Sequence, residues 1–456
     1  MRPPLLLRLE TAAVRAAGTL SRVAGRGGGT TLPGKLLWKL DPSAIDVLAR
    51  RLPRGSVLVS ATNGKTTTAA MVAEILRPAL RVVHNSSGAN LVSGVASALL
   101  QTGDAELGVF EVDEGALPEV SRRVAPKALL LGNLFRDQLD RYGELEIVAG
   151  RWRAAVAALP QAELVVNGDD PQVGDLGADG RRRVFGVDDP RVARPALQHA
   201  ADSKYCLRCG TPYVYAAAYV GHLGDYRCPN CGHARPALDV VARDIELHGL
   251  DGASFTLAAP EGETRVELAL PGLYNVYNAL GAGSLALTLG LPLDEVRAGL
   301  GRFSAAFGRF ERIGVGDRRL LMLLIKNPAG ANEVVRTLVE GGAPRTAVIA
   351  LNDEIADGRD VSWIWDVDFE PLIPTLERLV VTGSRAEELA LPFAYAGLDR
   401  ACIEVVRSLE AALDRGLALT PAGGELTLLP TYTAMIALRR LVAARGHVAN
   451  YWERAA

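Results

Sequence analysis

Short apolar, β-branched runs alternate along this chain with longer stretches whose apolar positions recur at helical spacing, the pattern of a parallel α/β sheet. The first run, Ser56-Val57-Leu58-Val59-Ser60, leads through a loop into residues 66–76, which carry helical apolar spacing. Runs at 107–112, 128–131 and 164–166, separated by helical stretches, complete one nucleotide-type domain. Between about 200 and 236 the periodicity stops and Cys, Tyr, Gly and His take over, as in a small module stabilised by something other than an apolar core. Residues 265–270 then read as a strand and 275–289 as a helix, so the module is inserted within the first domain. A second series starts at Leu320, with strands at 320–325, 346–351 and 379–382 and helices near 332–339 and 385–391, and predicts a second doubly wound domain. Upstream, Gly25-Arg26-Gly27-Gly28-Gly29 and Pro33-Gly34 set apart an N-terminal helix-like segment. The expected divisions are 1–50, 51–312 with the insert at about 200–236, and 313–456.

The 456 residues are 49% hydrophobic and 22% charged, enough apolar material for more than one core. Lys and Arg number 50 against 52 Asp and Glu, and a net charge of -2 supplies no general attraction to nucleic acid or an anionic membrane. The Leu5-Leu6-Leu7 run between Arg2 and Arg8 is too short for a signal peptide, and no stretch reaches the roughly 20 apolar residues of a membrane span. A cytoplasmic protein is expected, with an N-terminal amphipathic helix able to rest peripherally on the inner membrane face.

The strand-to-helix loop carries the first chemistry. Ala61-Thr62-Asn63-Gly64-Lys65-Thr66 places a glycine turn at a helix start, where backbone N–H groups surround phosphate oxygens and the helix dipole adds positive potential. Lys65 would neutralise the β and γ phosphates of ATP, and the Thr66 hydroxyl would ligate Mg²⁺. Val59 occupies the position where the full G-x-x-x-x-G-K-[ST] pattern has glycine. Glu111, in Phe110-Glu111-Val112-Asp113-Glu114, ends an apolar strand where a carboxylate can serve as a hard oxygen ligand for Mg²⁺. The alternatives are a turn with an exposed lysine and a solvated strand end.

The five cysteines are too few for a disulfide scaffold. Cys206 and Cys209 form one CxxC and Cys228 and Cys231 another, separated by residues 210–227, the spacing of a Cys₄ zinc site with no open position for catalysis. A redox pair fits the flanking Gly210, Pro229 and Gly232 less well. Cys402 lies in an apolar context as an inert thiol. The residues between the knuckles are rich in Tyr, Ala and Gly, which argues against a nucleic-acid role. The module and the phosphate loop are expected to be separate structural units.

Thr62-Asn63-Gly64-Lys65-Thr66-Thr67 resembles the T-N-G-K-T-T loop of the Mur ligase and folylpolyglutamate synthase superfamily. His84-Asn85-Ser86-Ser87-Gly88-Ala89-Asn90, Asn167-Gly168-Asp169-Asp170-Pro171, Asn275-Val276-Tyr277-Asn278-Ala279-Leu280 and Gly308-Arg309-Phe310-Glu311 resemble further segments of that superfamily and together span most of the first domain. The resemblance implies a Mur ligase middle-type ATP-binding domain, with Thr62, Asn63, Gly64, Lys65, Thr66, Thr67, Asn275 and Arg309 at the nucleotide and Glu111 with Thr66 at Mg²⁺. Only about sixty residues precede the loop, too few for the nucleotide-sugar-binding domain of the ordinary ligases. Gln138 stands where many have histidine, and Lys326-Asn327-Pro328-Ala329-Gly330-Ala331-Asn332-Glu333 replaces an expected acidic residue. These departures are similar to the MurT-type branch, with its zinc ribbon and its own Rossmann-like α/β C-terminal domain.

Membership of that branch would imply amidation of the D-glutamate α-carboxyl of the lipid II stem peptide to D-isoglutamine, with an acyl phosphate intermediate and ammonia from a GatD-type glutamine amidotransferase subunit. Residues 352–370, dense in acidic side chains and including Trp363 and Trp365, would face that partner, with Asp360, or else Asp366, completing its Cys-His pair. Lipid II would be met at the cytoplasmic membrane face, and nucleic acid is not an expected ligand. Two other readings stay open at this point: a stand-alone amino-acid ligase of the Mur or folylpolyglutamate type, and a zinc-ribbon ATPase stimulated by nucleic acid.

Overall fold

The computed structural model describes residues 32–85, 89–138, 143–198, 201–304, 310–342 and 344–448. The helix-like segment expected before residue 32, Ser86-Ser87-Gly88 and Arg309 lie outside the described residues.

The apolar runs become strands because both faces of each are covered. The first domain is a nine-stranded sheet of β1 (Ser56–Ser60), β2 (Val82–His84), β3 (Leu107–Glu111), β4 (Ala128–Leu131), β5 (Glu163–Asn167) and β6 (Arg182–Val187), completed by later strands. Between them β7 (Val214–Val220) and β8 (Leu223–Arg227) form a separate two-stranded ribbon, after which β9 (Val240–Leu247), β10 (Ala253–Ala259) and β11 (Gly262–Leu268) rejoin the sheet. The order is β11-β10-β9-β6-β5-β4-β1-β3-β2. Pairing is parallel from β2 to β9 and antiparallel through β10 and β11. β1, β3 and β4 are buried along their whole lengths, which is why they read as continuous apolar runs and not as an alternation.

Successive side chains of β1 point to opposite faces. Val57 and Val59 pack with Met71 and Ile75 of helix Lys65–Leu76 and with Val276 and Leu280 of helix Leu273–Thr288. Leu58 joins Leu37, Leu48, Leu117 and Trp152 on the other face. β1 lies between β3 and β4; the chain runs from β1 to the edge strand β2, back to β3 and then across to β4, so the carboxyl end of β1 is a topological switch point.

The C-terminal domain is a six-stranded sheet of β12 (Glu311–Val315), β13 (Arg318–Met322), β14 (Thr346–Ala350), β15 (Arg378–Thr382), β16 (Ile403–Val405) and β17 (Glu425–Pro430), ordered β12-β13-β17-β14-β15-β16. The late strand β17 lies at its centre, parallel to β13 and β14, and is buried except at Glu425. The periodicity located β13, β14 and β15 but not β12, β16 or β17.

The turn after β5 ties the parts together. Asp169 is fully buried and accepts hydrogen bonds from Val187 N (2.8 Å), Tyr277 Oη (2.6 Å) and Arg235 Nη1 (3.2 Å). Burial pushes its carboxyl up to about 6, against the opposing pull of Arg235 and Tyr277. Asp170 accepts from Leu134 N and Gln172 N, both at 2.8 Å. One dipeptide thus joins β6, helix Leu273–Thr288, the inserted module and the loop after β4. Asp169→Ala would leave the Tyr277 hydroxyl and the Val187 N–H without their acceptor and remove one of the partners of Arg235, which keeps Asp225 and the Val187 carbonyl, and should lower unfolding free energy by roughly 2–4 kcal/mol. Urea denaturation measures this, and a loss below about 1 kcal/mol would show that the turn is dispensable.

Candidate active site

The loop that follows β1 opens at the switch point. Ser60 Oγ donates to Val112 O (2.8 Å), joining the ends of β1 and β3. Gly64 has φ +84°, and a Cβ there would lie 1.9 Å from Asn278 Oδ1, so both the turn and the close approach of helix Leu273–Thr288 require glycine. The loop after β4 braces it from the other side. Asn133 exchanges hydrogen bonds with Asn63, through Asn63 N to Asn133 Oδ1 (2.9 Å) and Asn133 Nδ2 to Asn63 O (3.0 Å). Phe135 N donates to Thr62 Oγ1 (3.1 Å).

Lys65 is 7% exposed, and its Nζ lies 2.8 Å from Glu114 Oε2 and 3.1 Å from Ala61 O. Burial alone would lower its pKa, but the charges of Glu114, Asp113 and Glu111 outweigh it and raise it above the ordinary lysine value. Glu114 is pushed up by burial and held below its ordinary value by Lys65 and then Lys326. Thr66 Oγ1 donates to Glu111 Oε1 (2.9 Å), while Glu111 Oε2 is buried without a hydrogen-bond partner. Asn85 clamps the Glu111 backbone, donating to its carbonyl and accepting from its N–H, both at 2.8 Å. A hydroxyl and a half-satisfied carboxylate side by side fit a small divalent cation of hard-oxygen preference.

The C-terminal domain supplies the opposite wall. Lys326 Nζ donates to Thr62 O (2.9 Å) and pairs with Asp137. Asn63 and Asn327 exchange side-chain amide bonds at 3.0 and 3.2 Å. Asn327 also caps helix Pro328–Glu340 by accepting from Gly330 N (2.9 Å). A cleft lies between the domains, lined by Asn63, Gly64, Thr67, Asn275, Asn278 and Lys326 among others. The structure therefore brings together Asn63, Gly64, Thr67 and Asn275 of the expected nucleotide residues around one cavity, with Thr62, Lys65 and Thr66 adjoining in the same loop. Asn133, Asn278, Lys326 and Glu114 were not assigned roles from the sequence, although Asn278 and Lys326 lie in segments compared with the superfamily. Their signal was position across two loops and two domains, which spacing does not encode.

In the inserted module the Sγ atoms of Cys206, Cys209, Cys228 and Cys231 all lie within 4.8 Å of one another. The pairs Cys206–Cys231 and Cys209–Cys228 are 3.5 Å apart, near the roughly 3.8 Å edge of a tetrahedron with Zn–S arms of about 2.3 Å. Gly210 and Gly232 take positive φ just after each CxxC, and Arg208 N and Cys231 N point at the Cys206 and Cys228 sulfurs. This geometry fits a pair of metal-binding knuckles. The module is not a detached unit, however: Val220 and Leu223, at the tip of the β7–β8 ribbon, line the interdomain cleft. That corrects the expectation of separate units, because the ribbon tip packs into the core of the first domain.

The acidic loop 352–370 divides its carboxylates. Asp357 is buried and accepts from Thr433 N (2.8 Å) and Thr433 Oγ1 (2.5 Å). Asp366 is half-buried, with Arg136 of the loop after β4 at 3.3 Å. Asp360 is exposed; Ser362 donates to it from its backbone N–H (2.9 Å), and hydrogen bonds from Ser362 hold it below the usual carboxylate range. Gln138 Nε2 donates to Ala356 O (3.0 Å), a second contact between this loop and the first domain. Trp363 packs on the domain core, whereas Trp365 is 50% exposed and stacks edge-on with Tyr395 (5.6 Å), itself 80% exposed. Leu391, one turn from Tyr395 on helix Ala386–Tyr395, extends this apolar surface.

Comparison with known proteins accords with this geometry. Residues 59–192 match the Mur ligase middle domain, and residues 324–435 match the MurT ligase C-terminal domain. The chain is 31% identical over 443 residues to the MurT subunit of the glutamine-hydrolysing lipid II isoglutaminyl synthase of Streptococcus pneumoniae, covering 94% of this chain and 97% of that one. The corresponding subunit of Staphylococcus aureus strain N315 is 32% identical, over 92% and 94% of the two chains. A pseudomurein peptide ligase type C from Methanothermus fervidus shares the fold with a TM-score of 0.69 at 21% identity, over 88% of this chain and 80% of that one. With a phosphate loop, an inserted four-cysteine module and the MurT-type last domain all present, the chain belongs to the MurT family of Mur-type, ATP-dependent amide-forming ligases.

Proposed function

We propose that this chain amidates the D-glutamate α-carboxyl of the lipid II stem peptide to D-isoglutamine, at the cytoplasmic face of the membrane, with ammonia supplied by a GatD-type glutaminase subunit. What supports the substrate and partner is the likeness over nearly the whole chain to MurT subunits of lipid II isoglutaminyl synthases. The observation that carries the assembly is the division of labour within loop 352–370. Asp357 is committed to Thr433 and Asp366 faces Arg136, while Asp360 stays exposed on a domain that also displays Trp365 and Tyr395. Among the described residues no helix is long and apolar enough to cross a membrane.

The chemistry follows from the carboxylate's poor reactivity. Its oxygen attacks the γ-phosphorus of ATP, ADP departs, and the resulting acyl phosphate is open to ammonia. The ammonia nitrogen bonds to the carbonyl carbon, inorganic phosphate leaves, and the surplus proton passes to a nearby base or water. Gly64 lets the loop backbone approach the phosphates, and Lys65 turns from Glu114 to neutralise them. Asn63 and Lys326 hold the two domains together across the cleft. Glu111 and Thr66 would hold Mg²⁺, which supplies charge neutralisation at the phosphates. Cys206, Cys209, Cys228 and Cys231 would hold one structural Zn²⁺, which fixes the module whose ribbon tip walls the cleft.

Lys65→Ala should abolish ATP-dependent amidation, lowering kcat by at least about a hundredfold, and should also lower the melting temperature, because Glu114 is left as a buried carboxylate without its partner. An assay of amide formation with free ammonium checks this, and near-normal turnover would remove Lys65 from the phosphate site. The same assay run with an amino acid in place of ammonium tests the amino-acid-ligase alternative. Metal analysis should find one zinc per chain. Cys228→Ser should lose it and lower the melting temperature, with a few-fold weaker nucleotide affinity through the ribbon tip. Asp360→Ala should suppress glutamine-dependent amidation while ammonium-dependent amidation and complex formation persist, because an orienting carboxylate acts on the partner's histidine and not on ATP. Asp366→Ala serves as the comparison, and full glutamine use by both variants would defeat the shared-triad assignment.

A further inference from the structure

Charge is distributed unevenly along this chain. Residues 1–55 hold ten Lys and Arg against three Asp and Glu, a net +7, whereas the whole chain carries -2, so the remainder carries -9. An asymmetry of that size suits the amino-terminal part to an anionic surface, although the chain as a whole is not attracted to one. The described portion of it begins with helix Leu32–Leu40, which takes no part in the ligase chemistry above.

That helix is apolar on two sides. Pro33, Gly34 and Leu37 are buried. Gly34 donates its N–H to Ser97 Oγ (2.9 Å), and a Cβ there would collide with Ser93 O, so the helix sits hard against helix Val92–Leu99. The opposite side carries Leu32, Leu36 and Leu40, spaced four apart and therefore on one face. Leu32 is 38% and Leu40 65% exposed, and Leu36 is half-buried. Lys35 and Lys39, both exposed, border this stripe along one edge. Leu91, also exposed, precedes Ser93 by two residues as Leu32 precedes Gly34, so the two leucines flank the same helix contact. The neighbouring Asn90 donates from its amide to Glu111 Oε1 (3.3 Å), and its carbonyl accepts from Asp113 N (2.8 Å). One end of the face thus lies beside the carboxylate that would hold Mg²⁺.

We infer that this face docks on an anionic membrane, with Leu32, Leu36 and Leu40 entering the headgroup region and Lys35 and Lys39 meeting lipid phosphates. The inference rests on the proposed lipid-linked substrate, whose anchor holds it at that surface. An apolar stripe edged by lysines is the pattern of a helix lying in the plane of the interface, and long lysine stems carry the ammonium to phosphate while their methylenes stay on apolar surface. Three leucines alone give weak attachment, so charge must add to it. Arg2, Arg8, Arg15, Arg22 and Arg26, on the stretch of sequence that leads into the helix, supply that charge against the single Glu10. A two-fold contact between copies of the chain would instead set these lysines against one another. Docking brings the Glu111 end of the site to the surface from which a lipid-linked stem peptide extends.

The test is flotation of the full chain with vesicles of equal parts phosphatidylglycerol and phosphatidylcholine, or of phosphatidylcholine alone. The chain should float with the first and not the second, and high salt should weaken the attachment. Lys35→Glu combined with Lys39→Glu should lower vesicle affinity by about tenfold or more, and Leu40→Asp should lower it several-fold. Arg400→Glu combined with Arg440→Glu, an equal change of charge at exposed positions of the C-terminal domain, should leave it within about twofold. Parent-like binding by the lysine variant, an equal loss in the arginine control, or equal flotation with both vesicles would overturn the inference. Loss of self-association or of glutaminase binding in Leu40→Asp would overturn it too, by giving the face to a second copy or to the partner subunit. Amidation is read separately: the lysine variant should convert detergent-dispersed lipid II at the parent's rate and lose rate only on vesicle-embedded lipid II. A parent that floats yet amidates lipid II in neither form would defeat the proposed reaction and leave the docking face standing, whereas one that amidates but does not float would overturn the docking face alone.

Discussion

The Lys65–Glu114 ion pair is the interaction around which the site is arranged. A phosphate-binding lysine must be charged and desolvated before its ligand arrives, and burial by itself would drive the proton off. Glu114, at 2.8 Å, keeps Lys65 charged and holds it against the loop carbonyls. The same logic extends outward. Asp137 is pushed up by burial and answered by Lys326, which also reaches the Thr62 carbonyl, so two lysines and a group of carboxylates hold one another in a low-dielectric space. In the proposed mechanism, nucleotide binding would replace part of this internal compensation with phosphate charge, offering Lys65 a stronger partner than Glu114 without creating an uncompensated cation.

That arrangement needs a rigid floor and an opposing wall. The floor is the parallel sheet, where β1, β3 and β4 are buried on both faces and end together at the switch point. The Asp169-Asp170 turn locks the adjoining loop after β4 through Leu134, and Asn133 in turn braces Asn63. The wall is the C-terminal domain, whose contacts with the phosphate loop are the exchanged amides of Asn63 and Asn327 and the Lys326 bond. These are few, polar and partly exposed, as expected where a cleft must admit and release a substrate.

The inserted module and the acidic loop connect distant chemistry to that cleft. The four cysteines hold one end of the module, while the ribbon tip at Val220 and Leu223 forms cleft wall. The acidic loop touches the first domain through Gln138 and Arg136, which belong to the same segment as Asn133. The surface proposed to meet a partner and the surface that braces the phosphate loop are therefore joined by a short continuous stretch of chain. In the proposed complex this would be a physical route by which occupancy of one could bias the other.

Local chemistry was legible from the residues alone. The phosphate loop, the paired CxxC knuckles and the buried runs of β1, β4 and β14 each depend on neighbours within a few positions, so turn residues, ligand spacing and continuous apolarity identify them. What the sequence by itself determined was thus the fold class, the loop and the cysteine set. Tertiary structure alone decided the rest. β17 enters the centre of its sheet from the far end of the chain, and although residues 265–270 read as a strand, nothing in a pattern read for parallel units showed that β10 and β11 extend β9 antiparallel. It also distributed the aspartates of loop 352–370 among an internal cap, an interdomain contact and an exposed position, although all three look alike in sequence. The partners of Lys65, Asn63 and Glu333 come from segments 49, 264 and 139 residues away. Charge compensation and hydrogen bonding depend on distance in space, and only the packed chain brings those distances within reach.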